Sequence, residues 1–325
     1  MVWTSSLDGE IGTGTSFSTS LSASSHTITL KATDTLGAET TSDPVNITVD
    51  APAGSRVWIP QPVALAAVNN GGALTSDGID LYALKGGDTN TFWKFDVSAN
   101  SWSALANTPQ NVKDGGALAY GDGFIYALRG GKKKDFWRFN INSGPPGTWE
   151  ILALAPENVK AGGALVYLNG YVYALRGDRK SDFWRYNVAT PNWELPLKPT
   201  PANINKGGSL ATDGSSIYAL GGGGSTAFWK YSLTDKVWTP LENTPGGVGS
   251  GGSLAADGTR IHALRGNASA EFWRFDPGSA PLGTWTALDS TPFPVGGGGG
   301  LVFLNGLNGE FYALRGGATV DFWKY

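Results

Sequence analysis

The side chains of this chain that could do chemistry are mostly cations. Seven lysines and one arginine fall in short segments between residues 113 and 206: Lys113, Lys132, Lys133, Lys134, Lys160, Arg179, Lys180 and Lys206. Ammonium and guanidinium groups that lie close together bind carboxylates, sulfates and phosphates, and salt weakens that binding. This set therefore predicts binding of an acidic ligand, either an anionic glycan or an acidic protein surface.

Residues for other chemistries are scarce. The chain has two histidines, His26 and His262, and no cysteine, so neither a multi-histidine metal site nor a thiolate site is predicted. A glycan hydrolase needs two carboxylates roughly 5 to 10 Å apart, and Asp114, Glu157 and Asp178 are the candidates. They do not recur like a catalytic set, and no calcium or phosphate loop motif occurs. We therefore predict no catalytic residue, no metal and no cofactor, with a glycan-active enzyme as an alternative.

The composition disfavours several classes of protein. The 24 basic and 27 acidic residues give a net charge of −3, which is too balanced for nucleic-acid binding through bulk charge. Charged residues make up 16% of the chain, whereas it has 47 glycines and 13 tryptophans, a combination that indicates a globular, turn-rich protein. No apolar run approaches the roughly 20 residues of a membrane-spanning helix. We expect no nucleic-acid partner and no membrane insertion.

One motif occurs six times: GGxL, a turn, (Y/H)AL, FW(K/R)(F/Y) and a single Trp. The glycine pairs begin 44, 47, 45, 44 and 47 residues apart, at Gly71, Gly115, Gly162, Gly207, Gly251 and Gly298. A period in the mid-forties is typical of propeller blades. Because an Asp-Gly or Asn-Gly turn follows the first strand in five copies, each copy predicts four short antiparallel strands.

These repeats predict an all-β fold with a six-bladed β-propeller over residues 56–325. The sixth copy has no single Trp, but Trp58 lies 13 residues before Gly71, the same spacing as in the second copy. The segment Arg56 to Ile59 is therefore expected to form the fourth strand of the last blade and to close the ring. The glycine pairs are expected on the crowded innermost strands, and the aromatic residues on the outer strands.

Comparison of the six copies identifies charges with a structural role. An arginine after YAL occurs together with an acid before FW in four copies, and the other two copies lack both. The pairs are Arg129 and Asp135, Arg176 and Asp182, Arg265 and Glu271, and Arg315 and Asp321. Joint presence predicts cross-strand ion pairs, and a ring of arginines around a ligand pocket is the alternative. A second basic set, expected to lie along tryptophan faces, follows FW in every copy: Lys94, Arg138, Arg185, Lys230, Arg274 and Lys324.

The remaining cations fall in predicted loops. In a propeller, loops from a fourth strand to the next first strand emerge on the same side as loops from second to third strands. Lys113, Lys160 and Lys206 then come at nearly equivalent places near the channel mouth. Lys132 to Lys134 and Arg179 with Lys180 join them from neighbouring blades. This face of blades two to four is the predicted ligand-binding surface.

The run IYALRGG, followed by FWRFN and TWEIL, resembles the kelch repeat, which has a double glycine after an apolar strand, a following aromatic residue and a spaced Trp. The resemblance covers residues 56–325, although FW stands where kelch repeats commonly have a Tyr-Asp pair. It implies a propeller that serves as a binding platform and occasionally as an enzyme. Copper radical oxidases with kelch propellers need a Cys–Tyr crosslink, which this chain cannot form.

Residues 1–50 are expected to be a separate unit, joined to the propeller by a linker at residues 51–55. They are rich in Ser and Thr and carry six acidic residues against one lysine. The alternation in HTITLKATD and VNITV predicts two half-buried strands. The stretch from GTGTSFSTS to VNITV resembles the later strands of bacterial Ig-like or PKD-like domains, which implies an extracellular or cell-surface protein and a partial β-sandwich.

The earlier strands of such a domain are not apparent, which leaves three interpretations. Either the natural chain continues upstream, or a neighbouring subunit donates strands and the protein assembles into an extracellular filament through residues 1–50, or a reduced sandwich packs on the propeller. We predict a non-enzymatic, extracellular or cell-surface interaction or structural module whose propeller face binds a glycan or a protein. The filament subunit and the glycan-active enzyme are the alternatives.

Overall fold

The computed structural model describes residues 1–19, 21, 24–49, 57–194, 197–305 and 309–325. Every helix or strand in these residues is a β-strand, so the predicted all-β fold is confirmed. The chain divides into two compact units, Met1–Ile59 with Tyr325, and Pro60–Lys324. The predicted linker at residues 51–55 lies outside the described residues.

The first unit contains one five-stranded antiparallel sheet. Its strands are β1 (Val2–Ser5), β2 (Gly9–Thr13), β3 (Ser24–Thr33), β4 (Glu39–Thr41) and β5 (Val45–Val49). Their order is β2-β1-β3-β4, and β5 also pairs with β3. The two strands predicted from alternation are β3 and β5, and along β3 the side chains of His26 and Ile28 are buried whereas Thr27 is exposed. Neither β1 nor β2 was predicted, since VWTS and GEIGT are short and lack a clear alternation.

The propeller strands start with β6 (Ile59–Pro60), at the boundary of the two units. The strands form six four-stranded antiparallel sheets, called blades one to six. Blade one contains β7 (Ala73–Ser76), β8 (Leu81–Leu84), β9 (Phe92–Asp96) and β10 (Ser101–Ala104). Blade two contains β11 (Ala117–Gly121), β12 (Phe124–Leu128), β13 (Phe136–Asn140) and β14 (Thr148–Ile151). Blade three contains β15 (Ala164–Leu168), β16 (Tyr171–Leu175), β17 (Phe183–Asn187) and β18 (Asn192–Glu194).

Blades four to six repeat this arrangement. Blade four contains β19 (Ser209–Thr212), β20 (Ser216–Leu220), β21 (Phe228–Ser232) and β22 (Val237–Pro240). Blade five contains β23 (Ser253–Ala256), β24 (Ile261–Leu264), β25 (Phe272–Asp276) and β26 (Thr284–Ala287). Blade six contains β27 (Gly300–Leu304), β28 (Glu310–Leu314), β29 (Phe322–Lys324) and the early strand β6.

The six sheets close into a ring. The first strand of each blade contacts the first strand of the next, and β27 of blade six contacts β7 of blade one. Blade six is completed by β6, which pairs with β29. The Gln61 N–H then donates to the Phe322 carbonyl at 2.9 Å. The predicted propeller and its closure are therefore confirmed, with the closing strand at Ile59–Pro60, whereas Arg56 lies outside the described residues.

The prediction that the glycine pairs lie on the innermost strands was wrong. The pairs lie in the turns just before those strands. At Gly115 the backbone φ is +89°, and a Cβ there would stand 2.1 Å from the Lys160 carbonyl oxygen. The first glycine of every pair has the same positive φ and the same close approach to a carbonyl at the start of the next blade. The reason for glycine here is thus the neighbouring backbone together with the left-handed conformation.

Aromatic side chains fill the space between blades. The buried ring of Phe136 in blade two lies 5.0 Å from the Trp193 ring of blade three. The same contact recurs at 4.9 to 5.0 Å between Phe92 and Trp149, Phe183 and Trp238, Phe228 and Trp285, and Phe322 and Trp102. The Trp193 indole N–H also donates to the Ala153 carbonyl at 3.0 Å. Each buried cluster of the described residues therefore combines side chains of two neighbouring blades.

The basic residues after FW do not lie along tryptophan faces, so this prediction was wrong. The guanidinium carbon of Arg138 lies 4.3 Å from the centre of the Phe124 ring, and that of Arg185 lies 4.3 Å from the centre of the Tyr171 ring. Arg138 also pairs with Glu150 at 2.7 Å. Because side chains alternate along a strand, the residue after Trp points to the opposite sheet face, where these partners are. Their contacts are with other residues of their own blade.

Candidate functional site

Two sets of loops form one face of the propeller, here called the loop face. One set joins second to third strands, and the other joins a fourth strand to the next first strand. Isolated backbone bridges connect the two sets at all six boundaries, for example Lys133 with Val159 and Lys180 with Ile204. The buried Thr200 strengthens the connection, since its backbone N–H donates to the Ser181 carbonyl at 2.9 Å and its hydroxyl donates to the Ala202 carbonyl at 2.8 Å. The predicted lysines therefore sit on loops that the fold holds together.

Three of these lysines line one hollow of about 470 Å³, here called the basic hollow. They are Lys113, Lys132 and Lys160, and Asp88 and Asp114 also line it. The structure thus brings together loops of blades one, two and three. The hollow has three cationic and two anionic groups, so a ligand with acidic groups and hydroxyls suits its lining.

One lysine of the basic hollow is already paired. The Lys113 ammonium lies 2.9 Å from the Asp88 carboxylate, and both side chains are about half exposed. This hydrogen bond lowers the pKa of the Asp88 carboxyl, and the Asn111 amide adds a smaller contribution. Sequence reasoning did not single out Asp88, although it occupies the place in its blade that Lys132 occupies in blade two. Lys132 and Lys160 have no ion pair among the described residues.

The other predicted cations lie outside the basic hollow. Lys134 donates to the Pro156 carbonyl at 2.7 Å and lies 3.8 Å from Glu157, so it serves the loop. Lys133, Arg179 and Lys180 are exposed on the loop face. Lys206 was predicted at nearly the same place as Lys113 and Lys160. The structure places it one residue further on, because Asn205 is the residue whose carbonyl approaches the preceding blade as those of Lys113 and Lys160 do.

Two cations on this face have an uncommon backbone conformation. Lys132 and Arg179 both have φ of +60°, a left-handed conformation that glycine adopts at lower cost. Blades four, five and six have Gly224, Ala268 and Ala318 at this place in the loop. The loop conformation does not require a long cationic residue, since glycine and alanine adopt it in other blades. A function at the protein surface would explain why Lys132 and Arg179 occupy these positions.

The four arginine and acid pairs come together as ion pairs within single blades. Arg129 lies 3.2 Å from Asp135, Arg176 lies 3.0 Å from Asp182, and Arg315 lies 2.7 Å from Asp321, while Arg265 also pairs with Glu271. In each pair the arginine Nε donates to a carbonyl of the loop that comes from the preceding blade, as Arg176 does to Asn158. The guanidinium groups are directed to protein atoms, so they clamp two loops together.

The groups considered for catalysis are dispersed. Asp114 lines the channel mouth, whereas Glu157 and Asp178 do not. His262 is buried against the Phe311 ring at 4.2 Å between centroids, and the His26 Nδ1 lies 2.8 Å from the Ser5 hydroxyl. Within the described residues, no three His, Cys, Asp or Glu side chains are grouped closely enough to hold a metal ion. In the same residues, no helix has the length and apolar character needed to cross a membrane.

A solved structure titled "Structure of YjhT" is similar to this chain, with a TM-score of 0.63 and 15% sequence identity. The match covers 81% of this chain and 96% of that chain, and at this identity it shows the fold alone. No curated protein matches the chain. A family model described as "Repeat of unknown function (DUF6923)" matches residues 45–219, which is more than half of the sequence. The chain belongs to this repeat family.

Proposed function

We propose that this protein is a non-enzymatic interaction module of the cell surface or extracellular space that binds an anionic glycan through its basic hollow. The observation that carries the proposal is the uneven distribution of cations over equivalent loops. Blade two places Lys132 in the basic hollow where blades four to six have only glycine or alanine. Lys113 and Lys160 likewise stand where blades four to six have Asn205, Gly249 and Gly296. Since the loops keep one conformation in both halves, the fold does not require this charge.

The ligand class follows from the lining. The ammonium groups of Lys132 and Lys160 are available for sulfate or carboxylate groups, and Asp88, Asp114 and Asn70 offer hydrogen-bonding partners for hydroxyls. An acidic protein surface is the alternative ligand. We infer the extracellular location from the resemblance of residues 1–50 to Ig-like domains and of the propeller to kelch repeats.

The test is binding to sulfated and uronate polysaccharides at low and at high salt. We expect the triple variant Lys113→Ser, Lys132→Ser and Lys160→Ser to bind roughly tenfold more weakly, since exposed charge contacts contribute about 0.5 kcal/mol each. High salt should remove the difference by screening. Equal binding by the variant and the original protein would exclude the basic hollow as the site.

A matched control changes three exposed lysines elsewhere, Lys31, Lys198 and Lys236, to serine. This control alters the net charge by the same amount, so it should bind as the original protein does. Equal losses in both triple variants would indicate an effect of net charge alone. A triple variant that binds glycans normally but fails to bind an acidic protein would redirect the proposal to the protein ligand.

A second candidate function is filament assembly by strand addition to the first unit. The observation that favours it is β5, which among the described residues pairs with β3 alone and exposes 57% of Val45 and 40% of Ile47. An added strand would cover such apolar side chains. The candidate predicts polymers that increase with protein concentration and disappear in the variant Val45→Lys with Ile47→Lys. A uniform monomer at all concentrations would exclude it.

A further inference from the structure

The entrance to the central channel on the loop face is built from six copies of one turn. In each turn the second glycine N–H donates to the carbonyl three residues earlier, as Gly116 does to Lys113 at 2.8 Å. The first glycine has φ between +85° and +91° in all six copies. This pattern is that of a type II turn, in which the central peptide stands across the turn.

The direction of that central peptide is set by a second hydrogen bond. The carbonyl of Asn70, before the first glycine of blade one, accepts a hydrogen bond from the Gly87 N–H at 2.9 Å. Gly87 is in the loop joining the second and third strands, which lie further from the channel than the first strand. The Asn70 carbonyl therefore points away from the channel. The same bond recurs in the other five blades at 2.7 to 3.0 Å.

The N–H of the same peptide must then point into the channel. A trans peptide holds its C=O and N–H in opposite directions. The N–H groups of the first glycines, at Gly71, Gly115, Gly162, Gly207, Gly251 and Gly298, are therefore directed inward. None of the six donates to another described residue. All six glycines line a cavity of about 90 Å³ at the channel mouth, about three times the space of about 30 Å³ that one water molecule occupies in the liquid.

We infer that the channel mouth is a binding site for one oxyanion group, such as a sulfate or carboxylate, held by the ring of inward glycine N–H groups. Converging peptide N–H groups carry partial positive charge and are the usual means by which a backbone binds anions. Lys206 at the rim adds a full positive charge, and Asp114 at the rim opposes the ligand. The site consists of peptide groups, so it is independent of the lysines in the basic hollow.

The direct test is an NMR titration of the ¹⁵N-labelled full chain, in which sodium sulfate replaces sodium chloride at constant ionic strength. The amide signals of the six first glycines are expected to shift together and to saturate. Absence of shifts in these glycines, or shifts confined to the amides around Lys113, Lys132 and Lys160, would overturn the inference.

Two variants that change the net charge equally distinguish a local effect at the cavity from a long-range electrostatic effect on sulfate binding. Asp114→Asn removes the opposing charge at the rim and should tighten sulfate binding roughly fivefold. Asp178→Asn makes the same change on the loop face outside the cavity and should leave binding unchanged. Equal effects of the two variants would contradict a site at the mouth. Ala161→Glu, which introduces a carboxylate at the rim, should abolish the glycine shifts.

Polysaccharide and sulfate binding by two variants distinguish this inference from the proposed function. The source of the anion rests on that proposed function. The triple lysine variant of the basic hollow should lose polysaccharide binding and keep saturating glycine shifts with sulfate. Loss of those shifts in that variant would overturn the inference while leaving the proposed function intact. If Ala161→Glu also loses the polysaccharide, the oxyanion is an acidic group of that polymer. If it keeps the polysaccharide, the mouth binds a free anion.

Discussion

The Lys113 ammonium lies 2.9 Å from the Asp88 carboxylate, although the two residues belong to loops on either side of a blade boundary. Asp88 follows two glycines in blade one, at the place of Lys132 in blade two and Arg179 in blade three, and all three residues have left-handed backbones. Asp88 therefore replaces the cation that blades two and three have at this position, and its carboxylate offsets the positive charge of Lys113. One side of the basic hollow is therefore less positive than the other.

We expect Asp88→Asn to release Lys113 and to strengthen polyanion binding several-fold at low salt. The hydrogen bond from Lys113 lowers the pKa of Asp88, so the carboxylate stays ionised even when the pH approaches the pKa range of a free aspartate. Mild acid, to roughly pH 5, should therefore not reproduce the effect of the variant. Asp235→Asn, in the loop between β21 and β22, is the control. A gain of the same size in the control would attribute the effect to net charge.

The clamp between Arg176 and Asp182 predicts a coupled effect on stability. Changing Asp182 to Ala alone leaves a half-buried guanidinium without its partner and should cost about 1 kcal/mol, or roughly 2 to 4 °C in melting temperature. The double change Arg176→Gly and Asp182→Ala reproduces blade four, which has Gly221 and Ala227. It should cost less than the sum of the single changes. Additive losses, measured by calorimetry, would show that the two residues act independently.

Alanine substitution should cost much more stability at Gly115, the first glycine of a pair, than at Gly170, in the turn between β15 and β16. Gly170→Ala places a Cβ with no atom within 4 Å, so only the left-handed conformation, φ +80°, opposes it. The cost should be about 1 kcal/mol. Gly115→Ala adds a clash at 2.1 Å with the Lys160 carbonyl, which belongs to another blade. We expect it to destabilise the ring several times more. Similar melting temperatures for the two variants would show that the blades can move apart.

The hydroxyl of Tyr167 in blade three donates to Asp122 in blade two. Burial, together with this hydrogen bond, raises the pKa of Tyr167 from 10.0 to about 12. Between these pH values the folded protein holds a proton that the unfolded chain has lost, so this group makes stability fall as the pH rises. Tyr167→Phe should therefore show a shallower alkaline decline, followed by circular dichroism. Asp122→Asn, which removes the charge that faces this hydroxyl, should also make the alkaline decline shallower. Identical curves for all three proteins would contradict the role of Tyr167.

The sequence predicted most of the propeller because its signals are local and repeated. Asp-Gly and Asn-Gly turns, short apolar strands and the spacing of Trp58 from Gly71 are each sufficient to place a strand or a boundary. The glycine pairs were assigned to the wrong element, since the feature that requires Gly115 is a carbonyl of the next blade. A contact between distant segments of this kind has no signal in one copy of the motif.

The candidate site could be predicted only in part. The cations were found, but which of them share a hollow depends on loop geometry, which separates Lys134 and Lys206 from Lys113 and Lys160. An alignment of Asp88 with Lys132 and Arg179 would have revealed the limit of the cationic run. The ring of glycine N–H groups has no side-chain signal, because its function depends on the direction of a peptide plane.

Blade six combines β6, at the start of the propeller sequence, with β29, at Phe322–Lys324. During synthesis, this blade cannot be completed until the last of its strands has left the ribosome. Closing so long a loop is entropically costly and slow. Until then β6 of the nascent chain is unpaired and can pair with β29 of another chain, which is the route to a domain-swapped dimer. Rapid, crowded synthesis should therefore favour exchanged closing strands over aggregation through any other blade.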